Sequence, residues 1–335
     1  MKLETVQYKV LVKNIGNALN TGRETAIYQV NQTLVRTNWE IGRYIVEFEQ
    51  KGKIKAEYGS QLLDRLSKDL SLAYGKGFSR SNLFQIRQFY VRFEKIQTVS
   101  GQFGLTWSHY TEILKAESDL ELVFYTKQSE KEHWSVRELK RNMKSMLFHR
   151  LALQKGKTEV FKLSNEGHKI EHPADLIKDP FVLEFLNIHE ANQYHESELE
   201  DKIISHLQQF IMEMGKGFAF IARQYRMNIA NRHFYVDLLF YHRILKCFVL
   251  IDLKRGEIDH QDIGQMNLYL NYFKREEAAD DDNTPIGIVL GASKNNVLVE
   301  YAMEGITNQI LLAKYQLYLP PKDRLESLLK GLLEE

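Results

Sequence analysis

The sequence predicts an α+β protein, with an all-helical N-terminal half followed by a mixed sheet with helices packed on it. Through about the first 150 positions, apolar residues recur at three- and four-residue spacing. Between 218 and 254 the pattern changes to three runs rich in aromatic and β-branched residues: FAFIARQYRMN, HFYVDLLFYH and KCFVLIDLK. Charge divides the chain in the same way. Residues 1–150 hold 24 Lys and Arg against 16 Asp and Glu, and the remainder holds 21 against 28. Such asymmetry suggests that the first half meets a polyanion, although a solvated basic surface would read the same.

The helices follow in order. Segment 5–35 carries Val6, Val10, Ile15, Ala18, Ile27, Val30 and Leu34, and 36–50 continues with Trp39, Ile41, Ile45 and Phe48. Gly52 and the nearby lysines mark a break. Segment 60–73 is amphipathic through Leu62, Leu63, Leu66, Leu70 and Leu72. Gly75-Lys76-Gly77-Phe78-Ser79 then stops one helix, and Ser79 or Ser81 caps the next. That helix, about 81–96, turns Leu83, Ile86, Phe89, Tyr90 and Phe93 inward and leaves Arg80, Arg87 and Arg92 outward. Two further helices are expected at 107–128 and 134–150.

Pro173 and Pro180 suggest a linker or crossover over 156–195, between a helical domain at 1–155 and a second domain at 196–335. In the second domain, a helix at 197–214 precedes the three strands, which read as an antiparallel meander. A helix at 260–276 follows, then a strand at 285–291, a short helical stretch and a last strand near 309–318.

Several classes are excluded. At 335 residues with 44% hydrophobic and 27% charged side chains, the chain can build two full cores. No apolar run approaches the ~18–20 residues of a membrane span. The start, MKLETVQYKV, has no secretory h-region. One cysteine, Cys247, excludes an internal disulfide or a multi-cysteine zinc site and reads as a small core residue. The expectation is a cytoplasmic protein without a membrane partner.

Two acids stand where acids are costly: Asp237 inside FYVDLLF and Asp252 inside CFVLIDLK. The two-residue period of a strand puts Asp252 and Lys254 on one face, and the meander brings Asp237 alongside. Two carboxylates and an ammonium at one point suit a hard divalent cation such as Mg²⁺. A structural salt bridge among Asp237, Asp252, Lys254 and Arg243 would use the same residues. Gln265 and Tyr269 share one face of the next helix. Glu200, on the helix before the meander, offers a further acid, and a solvated acidic helix start is its plain alternative. Lys76, Arg80, Arg87 and Arg92 surround a helix–glycine turn–helix that fits a DNA-binding helix-turn-helix variant or an ordinary bundle. His109, beside Trp107, has no evident nucleophile and reads as structural.

The run Glu200 … Asp237 … Asp252-Leu253-Lys254 … Gln265-x-x-x-Tyr269 on an α-β-β-β-α-β order resembles the PD-(D/E)XK nuclease superfamily, in its RecB-like branch. Longer phrases, among them FYVDLLFYHR, LIDLK, DIGQMNLYL, EYGSQLLDRLSKDL and GKGFSRSNLFQIRQFY, resemble the YhcG-type family, whose N-terminal domain has no assigned function. The resemblance covers nearly the whole chain. It implies a restriction-endonuclease-like C-terminal domain that hydrolyses DNA with Mg²⁺ or Mn²⁺. By motif position, it implies metal ligation by Asp237 and Asp252 with support from Glu200, and catalytic roles for Lys254, Gln265 and Tyr269. Val236 stands where such nucleases often carry proline, and Asp252 where the YhcG type usually carries glutamate; neither change removes a ligand. The alternatives are an RNA nuclease or a catalytically silent nucleic-acid-binding or assembly protein. A homodimer is implied by analogy of fold alone.

Overall fold

The computed structural model describes residues 2–51, 56–94, 103–178, 180–188, 195–294, 296–319 and 321–334. The break expected at Gly52 lies outside them. The chain divides into two compact units, residues 1–143 with 164–167, and residues 144–163 with 168–335.

In the first unit, α1 runs unbroken over Lys2–Lys51, α2 over Ala56–Tyr74 and α3 over Arg80–Glu94. Gly75 and Gly77 take positive φ between α2 and α3 (84° and 114°), the conformation that glycine adopts without strain. Ser79 caps α3, its Oγ accepting the Asn82 N–H at 3.2 Å. Leu83, Ile86, Phe89, Tyr90 and Phe93 are buried, as expected. The α1–α3 crossing is closest at Gly42, where an added Cβ would sit 2.5 Å from the Ile86 carbonyl oxygen and 2.8 Å from Tyr90 Cβ. Neither neighbour is a flexible side-chain end, so Gly42→Ala must push the helices apart. We expect it to cost about 1–3 kcal/mol, read as a fall in the urea midpoint.

The helices expected at 107–128 and 134–150 are each split. They appear as α4 (Trp107–Ile113) and α5 (Asp119–Glu132), then α6 (Val136–Lys144) and α7 (Leu147–Ala152). Ser118 ends the first continuity by capping α5, its Oγ accepting the Glu121 N–H at 3.1 Å. Met146, at φ 53°, ends the second. The structural reading of His109 agrees with its surroundings, one ring nitrogen at 2.7 Å from Thr106 Oγ1 and the other at 2.9 Å from the Trp134 carbonyl.

The segment expected as a linker carries α8 (Lys157–Glu166), a 3₁₀ turn at Pro173–Leu176 and a short strand, β1 (Phe181–Val182). The helix expected at 197–214 is broken at His206 (φ −120°) into α9 (Glu196–Ser205) and α10 (Leu207–Met214). Strands β2 (Phe218–Ile229), β3 (Arg232–His242) and β4 (Cys247–Leu253) form the antiparallel meander. Then come β5 (Glu257–Ile258), α11 (His260–Tyr272) with a π turn to Glu277, β6 (Ile286–Gly291), β7 (Ser293–Lys294), α12 (Asn296–Met303), β8 (Gln309–Gln316) and α13 (Lys322–Glu334).

The six-stranded sheet has the order β1-β8-β6-β4-β3-β2, parallel from β1 through β4 and antiparallel from β4 to β2. One face packs Val249, Ile251 and Leu253 against Leu199, Ile203 and Phe210 of α9 and α10. The other packs Leu250 and Val289 against Ile263, Met266 and Leu270 of α11. Cys247 is buried in the first of these layers.

Candidate active site

Strand register brings the acids together. The β3–β4 ladder pairs Leu238 with Ile251, so Asp237 and Asp252 are the next residues in line. Asp237 ends the ladder with its side chain, its Oδ2 accepting the Leu253 N–H at 2.8 Å. On the other side, β2 pairs Arg223 with Leu238 and Tyr225 with Val236, which sets Gln224 level with Asp237. Gln224, Asp237 and Asp252 therefore form one row across three strands.

Asp252 is 3% exposed, and Lys254 Nζ stands 2.9 Å from its Oδ2 and 3.3 Å from Asp262 Oδ1. The same-face reading of Asp252 and Lys254 is thus observed. Burial, and then the adjacent Asp237 charge, push the Asp252 carboxyl up to about 7, against the pull of Lys254. Burial works against the Lys254 ammonium, but Asp252 and Asp262 outweigh it and raise its pKa, keeping it protonated.

Glu200 approaches from α9 and is buried. Its Oε2 accepts from Gln224 Nε2 at 2.6 Å, and the same amide donates to Asp237 Oδ1 at 3.0 Å. Arg223 Nε stands 3.0 Å from Glu200 Oε1. Burial raises the Glu200 pKa; the Gln224 hydrogen bond opposes this and the Asp237 charge adds to it. Gln224 holds its bridge from a φ of 46°, uncommon for a residue with a Cβ. Strained backbone of this kind persists where its surroundings fix it, and it clusters at functional sites.

Gln265 Nε2 donates to the Tyr269 hydroxyl at 2.5 Å. The Tyr269 ring lies in the core under α11, its pKa raised by burial and, more weakly, by Asp252. Tyr269 is thus reached through its hydroxyl while its ring is packed away.

Sequence reasoning missed three members of this cluster. Nothing local in the sequence shows that Gln224 faces Asp237 or that its backbone is left-handed, and Arg223 reads as an ordinary edge-strand cation. Asp262 carried a signal, because Asp259-x-x-Asp262 is a capping box at the start of α11. Asp262 uses Oδ2 for that cap and Oδ1 for Lys254.

The donor set fits a hard divalent cation. Glu200, Asp237 and Asp252 supply carboxylate oxygens, the ligand type Mg²⁺ and Mn²⁺ prefer. Asp252 Oδ2 and Glu200 Oε1 are buried and accept no well-aligned hydrogen bond, with Lys254 Nζ 2.9 Å from the first and Arg223 Nε 3.0 Å from the second. Among the described residues no three His, Cys, Asp or Glu side chains already stand at coordinating distance from one point. The Gln224 amide fills the space between Glu200 and Asp237.

Two members of the basic set on the first unit are less outward than expected. Arg87 Nε is 2.8 Å from Glu49 Oε2. Arg92, its side chain 18% exposed, reaches Asp119 at 3.2 Å and donates to the carbonyls of Leu114 and Ala116. These two arginines are not an outward row. Glu49 and Asp119, remote in sequence, pair with them, and the outer side of α3 also presents Phe84 and Val91. Arg80 is 59% exposed, with Asp64 at 2.9 Å, and Lys76 is exposed.

Residues 174–330 match the YhcG PDDEXK nuclease domain, and residues 14–150 match the DUF1016 N-terminal domain. The chain is 38% identical to "Putative nuclease YhcG" of Escherichia coli (strain K12), over 96% of this chain and 93% of that protein. Among solved structures, a repair endonuclease from Pyrococcus abyssi matches at 22% identity over 40% of this chain and 50% of its own, with a TM-score of 0.27. An EndoMS–dsDNA complex matches at 18% identity over 40% of this chain and 51% of its own, also at 0.27.

Proposed function

Because the chain belongs to the YhcG family of PDDEXK nucleases, we propose that it hydrolyses DNA phosphodiester bonds with Mg²⁺ or Mn²⁺ held by Asp237 and Asp252, with Glu200 beside them. The observation that carries this reading is the row in which register sets a buried, proton-hungry Asp252 against Asp237 with Lys254 at 2.9 Å. Bound there, the ion would supply charge neutralisation at the phosphate and a more acidic water. The remaining roles fall to the chain. Lys254 Nζ, held by Asp252 and Asp262, orients the attacking water by hydrogen bonding. Gln224 keeps Glu200 and Asp237 apart yet aligned. Gln265, half-buried beside Tyr269, meets the substrate strand, and the Tyr269 hydroxyl positions Gln265. On the first unit, Lys76 and Arg80 contact DNA phosphates, while Arg87 and Arg92 serve the fold.

The test is a plasmid-nicking assay on the full chain with Mg²⁺, with Mn²⁺ and with EDTA, run in parallel on single-stranded DNA and RNA. Metal-dependent cleavage of DNA supports the reading. Cleavage of RNA alone moves the substrate, and cleavage of neither, with duplex binding intact, makes the chain a binding protein on a nuclease fold.

Gln224 gives a separate prediction. In Gln224→Ala, Glu200 and Asp237 lose their shared donor and face one another unscreened. The thermal midpoint in EDTA should fall by about 2–4 °C, as for the loss of about 1 kcal/mol. Excess Mg²⁺ should restore most of that loss.

A further inference from the structure

Positions 7–30 of α1 are exposed, with Gly16 half-buried, whereas Val35, Asn38, Gly42, Ile45 and Val46 further along are buried. Most helices in proteins are held by packing of an amphipathic face rather than by propensity, and a solitary helix of about this length needs an alanine-rich sequence. This one is poorer, because Asn14, Gly16, Asn17, Asn20, Thr21 and Gly22 all disfavour helix, each glycine by about 1 kcal/mol relative to alanine. Intrinsic propensity does not sustain the segment, so packing must.

Exposed apolar residues lie on several sides of this stretch, Val10, Ile27 and Tyr28 among them, and one row of them is regularly spaced. Tyr8, Val12, Ile15, Leu19, Gly22 and Ala26 recur at alternating steps of four and three, the spacing of a coiled-coil seam. Tyr8, Val12, Ile15 and Leu19 are 67%, 51%, 52% and 56% exposed. At 3.6 residues per turn this seam lies roughly 150° round the helix from the face that is buried further along. It is a second apolar face, and among the described residues no element of the first unit covers it.

Residue size identifies the occupant. Large side chains fill the N-terminal part of the seam, and Gly22 and Ala26 the C-terminal part. A copy turned end for end sets large against small, with Leu19 on Gly22 and Ile15 on Ala26, each contact made twice about a two-fold axis. In that register Lys9 and Arg23, which flank the seam, face Val30 and Gly16 rather than each other. Parallel pairing would instead stack Leu19 on Leu19 and leave a gap at Gly22. With the flanking Leu11 and Val30, the seam exposes on the order of 700 Å² per chain, close to the ~800 Å² a standard interface buries on each side. We propose that two copies of this chain pair through an antiparallel coiled coil of α1 over residues 8–30.

The experiment is light scattering on the full chain at about 50 µM, a concentration at which an interface of this size should be occupied. The expected mass is twice 39.3 kDa. Ile15→Glu with Leu19→Glu should make the chain monomeric, weakening association at least 100-fold, and it touches no buried residue. For orientation, Ile15→Cys chains mixed with Ala26→Cys chains should oxidise to a cross-linked pair. Either variant alone should not, because like residues stand about 16 Å apart along the axis, and Cys247 is buried. A monomeric wild type, a dimer that survives the double glutamate change, or ready cross-linking of Ile15→Cys alone would each overturn the pairing.

Discussion

Asp252→Asn should abolish metal-dependent cleavage, by at least about 10³-fold, while making the metal-free protein more stable at pH 8. The first effect follows from losing a charged ligand in the proposed site. The second follows from the raised pKa. Burial beside Asp237 lifts the carboxyl from its ordinary value near 4 to about 7 in the fold. Between those values the native state holds a proton that the unfolded chain has released, so this group's contribution worsens as pH rises through the window. At pH 8 the full penalty of a buried carboxylate applies, and an uncharged amide of the same shape removes it. In EDTA, the wild-type thermal midpoint should therefore drop between pH 5 and pH 8 more steeply than that of Asp252→Asn. The variant should stand about 2–6 °C higher at pH 8. Parallel pH curves for the two proteins would mean that Asp252 carries no such strain. Cleavage surviving in the variant would remove Asp252 from the metal.

The largest stability effect is expected far from that site. Arg150 and Glu213 are fully buried and paired at 2.6 Å. Arg150 also donates to the Ser145 and Pro180 carbonyls, at 2.8 and 2.9 Å. Glu213 Oε1 accepts the Val182 N–H at 3.0 Å, and the Glu213 carbonyl accepts from Lys178. The pair thus ties α7 and α10 to edge strand β1. Arg150→Met keeps the volume but takes the guanidinium away from a buried carboxylate, which costs about 3–5 kcal/mol. Adding Glu213→Gln removes that buried charge and keeps an acceptor for Val182. The double variant should recover more than half of the loss in urea unfolding. If it is as unstable as Arg150→Met alone, the damage comes from lost packing and carbonyl contacts rather than from breaking the charge pair.

How much of this was legible in the sequence depended on whether the deciding contact was local. The meander, the glycine stop before α3 and the inward set Leu83, Ile86, Phe89, Tyr90 and Phe93 follow from periodicity and capping, and the structure repeats them. Lys254 beside Asp252 follows from the pleat. The breaks at Ser118, Met146 and His206 did not show, because the apolar rhythm runs through them and one cap or one dihedral ends each helix. Arg87 and Arg92 appeared free because Glu49 and Asp119, 38 and 27 residues away, neutralise them. Gln224 was invisible because its importance lies in strand register and a left-handed backbone, neither of which a residue type announces.

The Arg150 anchor has a practical bearing on how the chain can be cut. A boundary drawn at residue 155, where composition changes, would part α7 from the sheet it braces and take Arg150 from Glu213 in every fragment made that way. A fragment beginning at Lys144 keeps the brace intact, so the C-terminal portion should be excised there if it is to be purified by itself.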